Sequence, residues 1–218
     1  MATYDELAGH SIERLAALSD GIFGVAMTLL LLELHVPPHE TITSEGALVH
    51  ALSAMAPQLI VYLMSFMTLG IFWVGQQTQL SHLSRSDRHL TWIHLVFLFA
   101  ITLMPFSTRL LAEFVAFRTA LLAYWLNIVL LGGLLFASWR RAKGTGFIVA
   151  SLSEDAQAAI CRRIVFAQAL YAFAASLCVF TTTCSIIVLV LIQLTYAIAP
   201  SFGRVRPRPA TPTAPPPA

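Results

Sequence analysis

The sequence predicts an all-α membrane protein with six transmembrane helices per subunit. Three observations predict it. Apolar residues make up 57% of the 218 and charged residues only 11%, whereas a soluble globular domain is nearer a quarter charged. Six segments stay apolar over about 20 residues, the length a helix needs to cross the hydrocarbon of a bilayer. The basic residues fall in the loops that six spans put on one side.

The first segment runs from Leu15 to Val36 and is closed by Pro37-Pro38, which cannot continue a helix. The second runs from Ala47 to Val74 and carries Pro57; the third runs from Leu90 to Leu111 and carries Pro105. Both prolines read as kinks. The fourth runs from Phe117 to Trp139. The fifth and sixth share one stretch, Ile164 to Pro200. As a single helix that stretch is about 55 Å long, against hydrocarbon about 30 Å thick. It is therefore split at Thr181-Thr182-Thr183 into a helical hairpin.

An even number of spans puts both termini on one side. With that side cytoplasmic, Arg14, Arg85, Arg88, Arg140, Arg141, Lys143, Arg162, Arg163, Arg204, Arg206 and Arg208 lie inside. Only Arg109 and Arg118 lie outside. Eleven against two is the bias expected of the inward face. Asp5, Glu6 and Glu13 precede Arg14, and the apolar run that follows is too long for a signal peptide. The reading is a multi-pass protein of the plasma membrane with both termini cytoplasmic. Residues 1–14 form the N-terminal segment, 15–200 the transmembrane domain and 201–218 a disordered Pro-rich tail.

The formal net charge is +2, and no basic helix is interleaved with aromatics, so a nucleic-acid partner is not expected. Cys161, Cys178 and Cys184 form no CxxC pair and read as small buried hydrophobes. There is no HExxH, no GxSxG and no paired intramembrane acid, so neither an enzyme nor a resident cofactor or metal is expected. A secondary transporter and a non-conducting membrane scaffold are the competing classes. The transporter needs polar groups near the midplane, and the middle of the first segment is almost wholly apolar.

In that first segment Arg14 and Asp20 are costly at membrane depth and usually face protein or water. They are six residues apart, so each needs a partner on another element. At 100° per residue Leu18, Gly21 or Ile22, Val25, Leu29 and Leu32 form one stripe, with Asp20 nearly opposite. Packing of that stripe on a neighbouring helix is its commonest fate.

The run Arg14-x-x-x-Leu18-Ser19-Asp20-Gly21-Ile22-Phe23-Gly24-Val25-Ala26-Met27-Thr28-Leu29-Leu30 resembles the opening signature of the transmembrane protein 175 family of potassium channels. That signature is Arg-x-x-x-Phe-Ser-Asp, followed by an apolar stretch ending in Thr-Leu-Leu. Tyr62-Leu63-Met64-Ser65-Phe66 with Phe72-Trp73, and Leu103-Met104-Pro105-Phe106-Ser107-Thr108, resemble segments of its second and third spans. The sequence departs from the family where Leu18 replaces Phe, where Gln76 replaces the His that follows the second-span Trp, and where His94 replaces a third-span Asn.

The resemblance implies a homotetramer in the lipid bilayer whose first helices line a potassium pore. It implies an apolar constriction at Val25, with further rings at Leu29 and Leu32, and a leak-type conductance with potassium as the permeant ion. Thr28 puts a hydroxyl within reach of a passing hydrated ion, although a membrane-helix Thr more often bonds its own backbone. Arg14, Ser19 and Asp20 are implied to tie the pore helix to its neighbours, with Trp73 and Gln76, at the end of the second span, as partners. Glu33 and His35 are expected near the outer mouth. His10, His39, His50, His82 and His89 fall in or near loops and are expected to be solvated.

Overall fold

The computed structural model describes residues 12–32, 34–39 and 42–198. Glu33, the N-terminal residues up to 11 and the tail from 201 onward therefore lie outside the described residues. The described chain is almost entirely helical: α1 (Ile12–Leu32), α2 (Glu45–Ala54), α3 (Ala56–Leu80), α4 (Arg88–Thr102), α5 (Met104–Glu113), α6 (Arg118–Gly144), α7 (Glu154–Ser176) and α8 (Thr182–Ile198).

Five stretches are long and apolar enough to cross a membrane: α1, α3, α4 with α5, α6, and α7 with its terminal turn. A sixth, Thr182–Ala197, is apolar but shorter. The hairpin between the last two spans forms as expected. α7 runs into a single 3-10 turn at Leu177–Val179, and Thr181 Oγ1 accepts from the Cys184 amide to cap α8.

The two expected proline kinks are full breaks. Met55 separates α2 from α3, and Leu103 separates α4 from α5. Each proline then falls in the first turn of the following helix, where its missing N–H costs nothing. The span limits also shift. α1 already includes Ile12 and stops at Leu32 rather than Val36. α3 continues past Val74 to Leu80, because Gln76 and Gln79 are buried against protein rather than exposed at a helix end. α7 starts at Glu154, ten residues before Ile164. Its N-cap Ser153 accepts from the Ala156 amide, and Glu154 and Asp155 lie at the positive end of the helix dipole. Arg162 and Arg163 are consequently helical and not loop residues.

Contacts at the two ends fix the up-and-down order. Leu15 of α1, Leu80 at the end of α3, Leu83 just beyond it, Leu90 of α4 and Ala142 of α6 form one small apolar cluster. Leu83 and Ile148 pair in an antiparallel bridge, so the α3–α4 and α6–α7 loops are hydrogen-bonded to each other. Gly146 (φ +68°) ends α6, with Phe147 N–H reaching Ala142 O at 3.0 Å and Gly146 N–H reaching Lys143 O at 3.3 Å. That closing turn needs a left-handed residue, which glycine supplies without strain. Arg163 lies 5.9 Å from the centre of the Tyr196 ring, which sets the last turn of α8 beside the first half of α7. At the other end Arg118 donates to Val179 O at 3.0 Å.

The main core is built by α3, α4 and α6. Met64, Leu69 and Phe72 meet Phe97, Leu98 and Ile101, and Tyr124, Ile128 and Leu131 close it. α6 and α7 cross closely at Gly132: a β-carbon there would stand 1.8 Å from Gln168 Nε2. A larger residue there would have to displace the Gln168 side chain.

Candidate functional site

α1 has two unlike faces. Leu15, Ser19, Phe23, Ala26 and Leu30 recur every three or four residues and are buried in the subunit. Phe23 is 2% exposed, and its ring centre lies 6.2 Å from that of Phe97. The other face carries Leu18, Val25, Leu29 and Leu32, and Val25 is 59% exposed. Beside it runs an apolar groove of about 380 Å³ bounded by Leu18, Gly21, Ile22, Leu29 and Thr102. The stripe expected to pack on a neighbouring helix therefore finds none within its own subunit. A second stripe, which periodicity did not single out, holds the helix.

The polar residues of α1 are anchored to α3. Asp20 Oδ1 accepts from Trp73 Nε1 at 2.8 Å and from Gln77 Nε2 at 2.6 Å. Ser19, fully buried, donates to Gln76 Oε1. Gln76 Nε2 lies 3.4 Å from His94 Nδ1, and His94 Nε2 lies 3.0 Å from Ser138 Oγ. With Gln76 Nε2 as donor, His94 Nδ1 accepts and its Nε2–H points to Ser138, so every group in the row has a partner. Four helices, α1, α3, α4 and α6, are thus threaded by one hydrogen-bonded row. Such rows are strong only when complete, because an orphaned buried polar group is costly.

The structure brings Ser19, Asp20, Trp73 and Gln76 together, with Trp73 and Gln76 within α3 and not at its end. Arg14 lies in the first turn of α1 on its exposed side. Gln77 was missed, although it stands one helical turn after Trp73 and so shares its face. Ser138 gave no signal: it is one serine in a long apolar run. Gln76 and His94, the two positions where the resemblance implies His and Asn, lie beside each other in the buried row.

Thr28 Oγ1 donates to Gly24 O at 3.1 Å and Val25 O at 2.9 Å. Its proton is committed to the backbone, and its oxygen remains on the exposed side of α1. Among the described residues no group of three or more His, Cys, Asp or Glu side chains is placed to hold a metal.

A second buried polar cluster crosses the subunit away from α1. Thr108 donates to Ser65 at 2.8 Å, Thr68 pairs with the Tyr124 hydroxyl at 3.0 Å, and Gln193 donates to Thr68 at 2.6 Å. It ties α3, α5, α6 and α8 together. At the loop end of α4, Asp87 caps the helix by accepting from the Leu90 amide at 2.7 Å, and also accepts from Arg141 Nη2 at 2.6 Å. Partial burial pushes the Asp87 carboxyl up. The Arg141 and Leu90 hydrogen bonds and the Arg141 charge outweigh it and hold the group below its ordinary value of 3.8.

The family model described as the endosomal/lysosomal potassium channel TMEM175 matches residues 14–105, the region that holds α1 and most of its anchors. A potassium channel of Streptomyces collinus is 35% identical over 158 residues, 71% of this chain and 75% of that protein. A potassium channel of Chamaesiphon minutus is 29% identical over 189 residues, 85% of this chain and 93% of that one. The crystal structure of a lysosomal potassium-selective channel TMEM175 homolog from Chamaesiphon minutus superposes with a TM-score of 0.76 at 27% identity, covering 87% of this chain and 98% of that chain.

Proposed function

The chain belongs to the TMEM175 family of potassium channels, and on that premise we propose that it conducts potassium ions through a pore lined by α1 from several copies. The observation that carries the reading is the contrast on α1: Phe23 is 2% exposed on one side and Val25 59% on the other. A helix fastened so firmly at its back presents its front in a fixed register, and the front is an unbroken apolar stripe. Around a common axis, Val25, Leu29 and Leu32 become stacked apolar rings that dewet a narrow passage and act as its constriction. Thr28 adds a backbone-bonded hydroxyl whose oxygen lone pairs can face a hydrated cation. Ser19, Asp20, Trp73 and Gln76, with Gln77 and His94, set the angle of α1 and contribute no ligand to the ion.

The assembly is a homotetramer in the plasma membrane. The loop end that gathers the starts of α1, α4 and α7 carries Arg85, Arg88, Arg140, Arg141 and Lys143, which supports a cytoplasmic location for both termini.

The test is flux from liposomes holding the full chain under a potassium gradient and, separately, a sodium gradient. Potassium flux exceeding sodium flux is expected. Val25→Asn, which places an amide in the apolar ring, is expected to raise total conductance and lower that preference. No flux in either gradient, or a Val25→Asn channel identical to the parent, overturns the reading.

A further inference from the structure

Two spans leave most of their apolar surface uncovered, α1 and α7. Only 28% of the apolar window of α1 and 17% of that of α7 is buried, the two lowest values among the five long spans. The front of α1 is accounted for by the pore proposed above. α7 packs on α6 and α8, and its outer side is a stripe. Arg162, Phe166, Ala169 and Phe173 recur every three or four residues and are all exposed.

The head of that stripe is doubly basic. Arg163 follows Arg162, is also exposed, and lies 5.9 Å from the centre of the Tyr196 ring in the last turn of α8. Arg163 and Tyr196 each stand about 25 Å along their helix from the turn at Phe180, at 1.5 Å per residue. Hydrocarbon is about 30 Å thick, so both lie near headgroup depth. Neither arginine has an acid three or four residues away on α7, where the positions hold Ala158, Ala159, Ile160, Val165, Phe166 and Ala167. Among the described residues neither guanidinium has a hydrogen-bond acceptor, and the Tyr196 hydroxyl makes no hydrogen bond.

We propose that this end of the α7–α8 hairpin binds an anionic phospholipid. The phosphate oxygens accept from Arg162, Arg163 and the Tyr196 hydroxyl, and an acyl chain lies along Phe166 and Phe173. Guanidinium suits both of its neighbours, because its flat face rests on the phenol ring while its edge gives paired N–H donors to phosphate. Basic side chains beside a tyrosine at the interface, above an apolar track, have the order of charge and hydrocarbon that a lipid has. A second copy of the chain is the weaker occupant. Asp20 and Asp87 already accept hydrogen bonds, and Glu154 and Asp155 stand about 10 Å further towards water at 1.5 Å per residue. The proposal rests on the membrane-embedded reading above but not on conduction.

The experiment uses the full chain in phosphatidylcholine nanodiscs, with Phe166→Trp as the reporter. Its added fluorescence over the parent protein is quenched with acyl-brominated phosphatidylglycerol or acyl-brominated phosphatidylcholine. The anionic lipid is expected to quench at a mole fraction roughly 25-fold lower, about fivefold for each arginine near the headgroup. Arg162→Gln or Arg163→Gln in that background leaves about a fivefold preference, and the two together abolish it. Arg140→Gln removes the same charge from another exposed site at this end of the molecule and leaves the preference intact. Equal quenching by the two lipids overturns the proposal, as does a preference that survives loss of both arginines. An Arg140→Gln effect as large as that of Arg162→Gln also overturns it, since a diffuse field then attracts the lipid. Quenching by neither lipid means that a neighbouring copy covers the stripe, and overturns it too. Potassium flux in liposomes of the same lipids separates the two readings. A preference without flux counts against the channel alone; flux without a preference counts against the lipid site alone.

Discussion

The two faces of α1 share composition and differ in fate. The inner face fills its space with Phe23, Ala26 and Leu30 and threads Ser19 into a row of hydrogen bonds. The outer face, with Leu18, Val25, Leu29 and Leu32, is just as apolar and stays exposed. In a membrane apolarity does not decide which face is buried, because lipid is as good a neighbour as leucine. Shape and polar partners decide. The outer face is smooth and free of anchors, as a lining must be; the inner face holds an aromatic ring and the hydroxyl of the buried row.

The sharpest way to break this contrast is to damage the inner face. Phe23→Ala leaves a void beside Phe97 and Phe72 and should cost about 3–5 kcal/mol of stability, read as a large fall in the melting temperature of detergent-solubilised protein. His94→Leu interrupts the row between Gln76 and Ser138 and should cost about 1–3 kcal/mol. The exchange Gln76→His with His94→Asn, the pair that the resemblance implies, should recover most of that loss. Recovery no better than the single substitution sinks the idea that the two departures compensate each other. Asp20→Ala removes the acceptor shared by Trp73 and Gln77 and should lower the oligomer's association constant about tenfold, the equivalent of one charge-assisted hydrogen bond. Potassium-over-sodium preference in the channels that still assemble should be unchanged.

On the outer face the expectation reverses. Val25→Ala should alter stability by less than about 0.5 kcal/mol, as an exposed substitution does, while ion flux changes. A melting shift as large as that of Phe23→Ala would place Val25 in a packed core. Away from α1, a modest and acid-dependent effect lies at Asp87. Its carboxyl is held below 3.8 in the fold, so its contribution is complete above about pH 4 and is lost as pH falls through the folded value. Asp87→Asn should remove that acid-dependent component and change stability at pH 7 by about 1 kcal/mol or less.

Much of this was legible in the sequence. The helical class and the hairpin at Thr181–Thr183 follow from apolar lengths, and the run that opens at Arg14 singles out Ser19 and Asp20. The chain's membership of the family was legible from the same run. The choice between α1 faces was not, because both the buried and the exposed side carry apolar residues at helical spacing. Gln76, Gln77 and Gln79 look like the end of a span; they are helical because their amides meet Ser19, Asp20 and the Leu135 carbonyl inside the protein. Arg162 and Arg163 look like a loop, but the capped start of α7 lies well before them.

The bridge between Leu83 and Ile148 makes a short strap across the basic end of the molecule. One side of it is continuous with α3, whose Trp73 and Gln77 hold Asp20; the other is continuous with α6, whose Ser138 closes the row through His94. A tug on either loop is therefore shared between the helix that grips the first one and the helix that closes the far end of its hydrogen-bonded row.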